Sequence, residues 1–177
     1  MGKHSVIMAG AAAFAALSFF HAQSVVAADV ATEATAAMTD SEGNSVGTVA
    51  LEQATQGTLL HARLTGLEPG TLAIHVHETG KCDAPDFKSA GGHYNPTDKA
   101  HGFSAEDGYH AGDLTNIHIP ESGILEVEFF SERLKLDDGL FDEDGAALVI
   151  HADADDYRTD PAGDAGARIA CGVIERN

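Results

Sequence analysis

LAIHVH, residues 72–77, is the stretch on which the reading of the fold turns. Ile74 and Val76 fall at one parity, His75 and His77 at the other. That is the two-residue period of a β-strand whose two faces differ. Side chains two residues apart share a face about 7 Å apart, near enough for two imidazoles to reach one ion. Similar short runs recur on both sides: SVGTVAL (45–51), TLLHARL (58–64), LEVEFF (125–130) and ALVIH (147–151). Turn chemistry separates them, at DSEGN (40–44), EPG (68–70), PESG (120–123) and Asp144-Gly145. No stretch carries a helical period. Repeated short strands with turn punctuation predict an all-β sandwich or barrel in one domain, with no internal repeat or linker.

Two segments, 78–112 and 152–167, fit no strand and are rich in Gly, Asp, Pro and His. Loops of this length without structure of their own are uncommon, and they are usually either functional or disordered. Histidines stud these two and cysteines bracket them, so they are expected to be ordered by metal and by a disulfide.

The N-terminus reads as an export signal. Lys3 precedes an uncharged apolar stretch, 5–20, and Val26-Ala27-Ala28 offers small residues where a signal peptidase reads. Cleavage is expected after Ala28, leaving a mature domain of 29–177. Loss of that segment removes one Lys and no acid, moving the formal charge from −18 to −19. Such a charge repels nucleic acid and anionic membrane surfaces. The chain has two cysteines. In an exported protein, Cys82 and Cys171 are expected to pair.

Of the ten histidines, His4 and His21 leave with the signal. His93, His101, His110 and Asp113 lie in one Gly-rich segment, and three imidazoles with one carboxylate make a closed tetrahedral set for zinc. His75, His77, His151 and one further imidazole would make a four-nitrogen site, the ligation Cu(II) prefers. His61 and His118 sit in strands without partners and read as ordinary residues.

These elements in this order carry a resemblance: HVH (75–77), SAGGHYNP (89–96), the spacing from His93 through His101 and His110 to Asp113, GDL (112–114), LVIHADADD (148–156) and GARIACGVI (166–174). Together they resemble the copper/zinc superoxide dismutases, of the secreted bacterial type, over about residues 30–174. The resemblance implies an eight-stranded Greek-key β-barrel or sandwich with two long ordered loops. It implies one copper per subunit on His75, His77, His93 and His151, and one zinc on His93, His101, His110 and Asp113. His93 would bridge the two ions as an imidazolate. Asp155 would hydrogen-bond His75 and His101 from outside both shells, Arg168 would bind the superoxide anion, and Cys82–Cys171 would tie the metal loop to the last strand. The activity implied is an antioxidant oxidoreductase's: superoxide dismutation to O₂ and hydrogen peroxide outside the cytoplasm, in the periplasm or secreted, and free of the membrane once the signal is cut.

The sequence departs from the familiar eukaryotic members in two places. The 152–167 loop is shorter, with Pro161 and Ala162 where those enzymes have a steering lysine and a channel threonine. The 82–93 stretch also differs, and subunit contacts in the family involve it, which leaves a homodimer open. Two other classes remain at this point. One is a metal carrier on the same fold, which would tend to lack part of the copper set or the arginine. The other is an interaction protein with structural zinc alone, which would not need four further nitrogens. Superoxide turnover by the metal-loaded chain separates all three.

Overall fold

A computed structural model describes residues 1–2 and 32–177; the expected signal segment beyond Gly2, with its cleavage site, lies outside the described residues. Nine strands are present among those described: β1 (Glu33–Asp40), β2 (Ser45–Ala54), β3 (Gly57–Thr65), β4 (Gly70–Leu72), β5 (Ile74–His77), β6 (Ile117–Ile119), β7 (Ile124–Ser131), β8 (Ala147–His151) and β9 (Arg168–Arg176). A single 3₁₀ turn, Lys88–Ala90, interrupts the first long loop.

Seven strands form one antiparallel sheet in the order β5-β8-β9-β1-β2-β3-β7, and β4 pairs with β6 in a short ribbon. The ribbon joins the two edges. β4 runs on into β5, one edge strand, and β6 turns through Pro120–Gly123 into β7, the other. The ribbon thereby links the two ends of the curled sheet, and the backbone of the first long loop covers β5. The run expected as one strand, 72–77, breaks at Ala73. Its N–H donates to Asp153 O (2.8 Å) and its carbonyl accepts from His151 N (2.9 Å). Counting β4 and β5 as one bent strand recovers the expected eight.

Alternation places the core. The row Ala36–Val49–Ala62–Val127 crosses β1, β2, β3 and β7 in register, and its neighbour is Ala34–Leu51–Leu60–Phe129. Ala34 and Ala36 of β1 lie beside Leu51 and Val49 of β2, and these rows belong to the main hydrophobic core. A bulge at Val46-Gly47 resets the parity of β2, so that both Val46 and Val49 are buried. Gly47 holds φ +128°, and a Cβ there would overlap Arg63 O.

β5 and β8 are buried on both faces. Ile74, Val76, Leu148 and Ile150 point into the main core. On the outer face, Ala147, Val149 and Cys171 pack with Phe87 and Ala90 of the first loop, Cys82 beside them. The histidines of β5 and β8 share that outer side. The site therefore lies outside the barrel, roofed by the two long loops.

Candidate metal centre

β5 is a sheet edge, and loop backbone completes it. His77 is bridged to His93 and His75 to Asp113. Tyr94 N–H donates to Val76 O (2.8 Å) and Val76 N–H to Gly112 O (2.9 Å). Gly112 is required by this approach, since a Cβ there would overlap Val76 O. Edge pairing thus carries His93 and Asp113 to the two histidines of β5. The disulfide Cys82–Cys171, with Cα atoms 5.6 Å apart, fixes the loop's other end to β9.

Two ligand groups result. His75, His77, His93 and His151 are buried, with one nitrogen from each mutually within 4.8 Å; His93, His101, His110 and Asp113 form a second buried group to the same limit. The outer partners decide which nitrogens are available. His77 Nδ1 faces Gly91 O (3.0 Å) and His151 Nδ1 faces Gly166 O (3.4 Å). A carbonyl only accepts, so each Nδ1 carries the hydrogen and each Nε2 a lone pair. Those two Nε2 atoms meet at 3.4 Å. His75 Nε2 meets the Asp155 carboxylate at 2.8 Å and so carries its hydrogen, which leaves Nδ1 as the lone pair. His75 Nδ1 and His93 Nε2 are buried with no hydrogen-bond partner among the described residues. Four inward nitrogens with no donor among them make a pocket for a cation, and an all-nitrogen set suits copper.

In the second group Asp113 Oδ1 lies 2.9, 3.0 and 3.2 Å from the Nδ1 atoms of His93, His101 and His110. Those separations approach the edges of a tetrahedron whose ligands stand about 2.0 Å from a zinc ion. Asp113 Oδ2 accepts from the Gly102 and His110 N–H groups at 2.8 and 3.1 Å, which locks the carboxylate. His93 belongs to both groups, Nδ1 toward the zinc-type set and Nε2 toward the copper-type set.

Electrostatics agree with this division. Burial, with nearby imidazoles, lowers His93 to about 4, though Asp113 opposes the shift. Burial, then His75, lowers His151 to about 3. Burial and neighbouring His93 and Arg168 push His77 well below its ordinary value. All three are neutral at physiological pH, as ligands must be. His101 behaves oppositely: burial works against its charge, but hydrogen bonds to Asp113 and Asp155 raise it to about 9. Burial opposes ionisation of those two carboxylates, yet their histidine partners hold both well below the usual range.

Asp155 Oδ1 lies 3.1 Å from His101 Nε2 while Oδ2 meets His75, so one carboxylate joins the two groups. Arg168, opposite His151 in the β8–β9 pairing, donates to Phe87 O (2.8 Å) and Gly91 O (2.6 Å). Gly91 O therefore serves both Arg168 and His77. Burial lowers the Arg168 pKa, with Asp86 opposing.

The family model for copper/zinc superoxide dismutase (SODC) matches residues 45–174. The chain belongs to the copper/zinc superoxide dismutase family. Among curated members, it is 48% identical to superoxide dismutase [Cu-Zn] 1 of Aquifex aeolicus, over 76% of this chain and 82% of that protein. It is 42% identical to the Caulobacter vibrioides enzyme, over 80% and 85%. Among solved structures, a superoxide dismutase-like protein from Bacillus subtilis is 39% identical with TM-score 0.75, covering 78% of this chain and 96% of that one. The Brucella abortus copper/zinc superoxide dismutase is 31% identical with TM-score 0.69, covering 81% and 99%.

The two histidines set aside in the sequence lie away from this centre. His61 meets Glu126 at 3.3 Å, and His118 lies 3.3 Å from Thr71 Oγ1. Asp160, in the loop that lacks the steering lysine, accepts from His101 N–H at 2.7 Å and so braces the zinc-type loop. Sequence reasoning missed the carbonyls of Phe87 and Gly91 and the side chains of Asn116 and Tyr157. Backbone acceptors leave no mark in a sequence, and an Asn near a strand start reads as turn chemistry.

Proposed function

We propose that residues 29–177, exported to the periplasm by a cleaved signal, dismutate superoxide to O₂ and hydrogen peroxide. In this reading copper sits on His75, His77, His93 and His151, and zinc on His93, His101, His110 and Asp113. The observation that carries it is His93: one imidazole offers Nε2, without a hydrogen-bond partner among the described residues, to three histidines and Nδ1 to the Asp113 group. Bound copper supplies the one-electron chemistry by which two superoxide ions and two protons become O₂ and H₂O₂, while zinc cannot change redox state.

The chain's own residues orient, charge and protonate. Asp155 holds Nε2–H of both His75 and His101, which fixes ring planes and tautomers on both sides of His93. His93 Nε2 is the one nitrogen of that ring not turned toward Asp113, so it is where a proton can be taken up and handed to product. Arg168 supplies a fixed positive charge beside His77 and His151 in a strongly acidic chain. Two of its five N–H donors are tethered to loop carbonyls, which sets the aim of the guanidinium fork. A disulfide buried against β9 suits an oxidising compartment, and no helix among the described residues is long and apolar enough to cross a membrane. Stopped-flow superoxide decay with metal analysis tests the reading: a chain carrying both ions that leaves superoxide to its spontaneous decay refutes it.

A further inference from the structure

Asp155 joins the two ligand groups, but nothing in its own loop holds its backbone. Asn116, one residue before β6 and outside both long loops, does so. Its Nδ2 donates to Asp155 O (2.9 Å), and its Oδ1 accepts from Asp155 N–H (2.9 Å). Both backbone polar groups of Asp155 are thus satisfied by one carboxamide. The orientation of that amide is forced, because an N–H must meet oxygen and a carbonyl must meet a donor. The backbone N–H of Asn116 donates in turn to Tyr157 Oη (2.7 Å). Tyr157, at φ +60°, returns its own N–H to Asp155 Oδ1 and its carbonyl to Ser104 N–H (3.0 Å) in the zinc-type loop. Residues 155 and 157 are clamped to the barrel at one point from two sides.

We propose that Asn116 is a positioning residue for the metal centre. It sets the Asp155 peptide, and thereby the direction of the carboxylate that orients His75 toward one ion and His101 toward the other. The proposal rests on the assignment of those histidines to copper and zinc, and it adds a residue that touches neither ion nor substrate. A side-chain clamp serves here because Asp155 lies in a loop without a strand partner, and a small error in its backbone would be magnified at two imidazoles. Its carboxylate must point two ways at once, so rotation that relieves one hydrogen bond breaks the other.

Asn116→Asp is the informative change. It keeps size and the acceptor for Asp155 N–H, but sets a carboxylate oxygen against Asp155 O. Tyr157→Phe removes only the hydroxyl and serves as the milder variant should Asn116→Asp fold poorly. Gln53→Ala is the comparator for loss of an amide clamp far from the centre, since Gln53 bonds Ala54 O, Gly57 O and Leu136 N–H. Zinc affinity by chelator competition, and the visible and EPR spectra of the Cu(II) form, are measured on chains reconstituted with zinc and then copper. Expected are roughly tenfold weaker zinc binding and a changed Cu(II) spectrum for Asn116→Asp, a smaller change in the same direction for Tyr157→Phe, and wild-type values for Gln53→Ala despite its lower melting temperature. Wild-type zinc affinity and Cu(II) spectrum in both Asn116→Asp and Tyr157→Phe would overturn the positioning role. Failure of the wild-type chain to bind zinc and copper at two distinguishable sites would instead sink the parent assignment.

Discussion

Gly163 leaves room for the Asp155 carboxylate: a Cβ at Gly163 would overlap Asp155 Oδ1 and stand 2.8 Å from His101 Nε2. Its φ of +65° is also one that side-chain-bearing residues rarely adopt. Gly163→Ala should therefore destabilise the chain by about 1–3 kcal/mol and lower its zinc content, because the clash falls on the hydrogen bond that orients His101. Thermal unfolding and metal analysis check this; unchanged zinc occupancy would show that the loop can shift without disturbing Asp155.

Arg168 should matter through charge. Arg168→Ala is expected to keep both metals and lose at least about tenfold in rate, about 1.4 kcal/mol of barrier. Arg168→Lys keeps the charge but can satisfy the Phe87 and Gly91 carbonyls less well, and should retain much of the rate. Salt should alter the wild-type rate more than the Arg168→Ala rate, since fields are screened over about 10 Å at 0.1 M. Stopped-flow decay at matched copper content decides. Equal rates would leave Arg168 as a tether for the 82–91 loop.

The two ligand groups should separate on mutation. Asp113→Ala removes the oxygen at the middle of the zinc-type group and the anchor for the Gly102 and His110 N–H groups. It should lose zinc and loosen the loop while some copper binding survives. His77→Ala should lose activity with zinc retained. Elemental analysis of the purified variants is the readout, and equal loss of both metals from either would mean that the two groups behave as one.

The metal-free chain should release a proton on binding zinc. Its His101, raised to about 9 by Asp113 and Asp155 against burial, is charged at pH 8, whereas His93 at about 4 is not. Calorimetric zinc titrations at pH 8 in buffers of different ionisation heat should yield about one proton per ion. The same raised value contributes stability to the metal-free chain that is fully present below about pH 6.5 and is lost as pH rises through 9. A titration that releases no proton would contradict this charge state.

Reduction of Cys82–Cys171 should weaken more than the fold. The bridge spans 89 residues, and closing a loop of that size is worth roughly 4–5 kcal/mol on the chain-entropy model. It also anchors the segment whose carbonyls, at Phe87 and Gly91, hold Arg168 and His77. A double Cys→Ser variant should melt lower and, at matched metal content, dismutate more slowly. Wild-type activity in that variant would show that the loop keeps its place through packing of Phe87 and Ala90 alone.

Period-two alternation and ligand chemistry are local properties, so the all-β class, most of the strands and the residue types of the centre were legible along the chain. SVGTVAL, TLLHARL, LEVEFF and ALVIH all lie within β2, β3, β7 and β8. β1 was not legible, since its inward positions are Ala34, Ala36 and Met38, with little apolar contrast against the outward ones. β6 is three residues long, and the buried run Ala170-Cys171-Gly172 hides the alternation of β9. The break at Ala73 was equally hidden, because it depends on Asp153 and His151 arriving as partners. The Asp155 contact with His75, 80 residues away, was implied by the resemblance, but the three-dimensional arrangement was needed to show which nitrogen of each histidine is free, that Asn116 holds the Asp155 backbone, and that Arg168 is tied to loop carbonyls. Those facts depend on where a curled sheet and a disulfide bring distant backbone atoms, and a hydrogen bond is specific to positions a few tenths of an ångström apart, which no local pattern encodes.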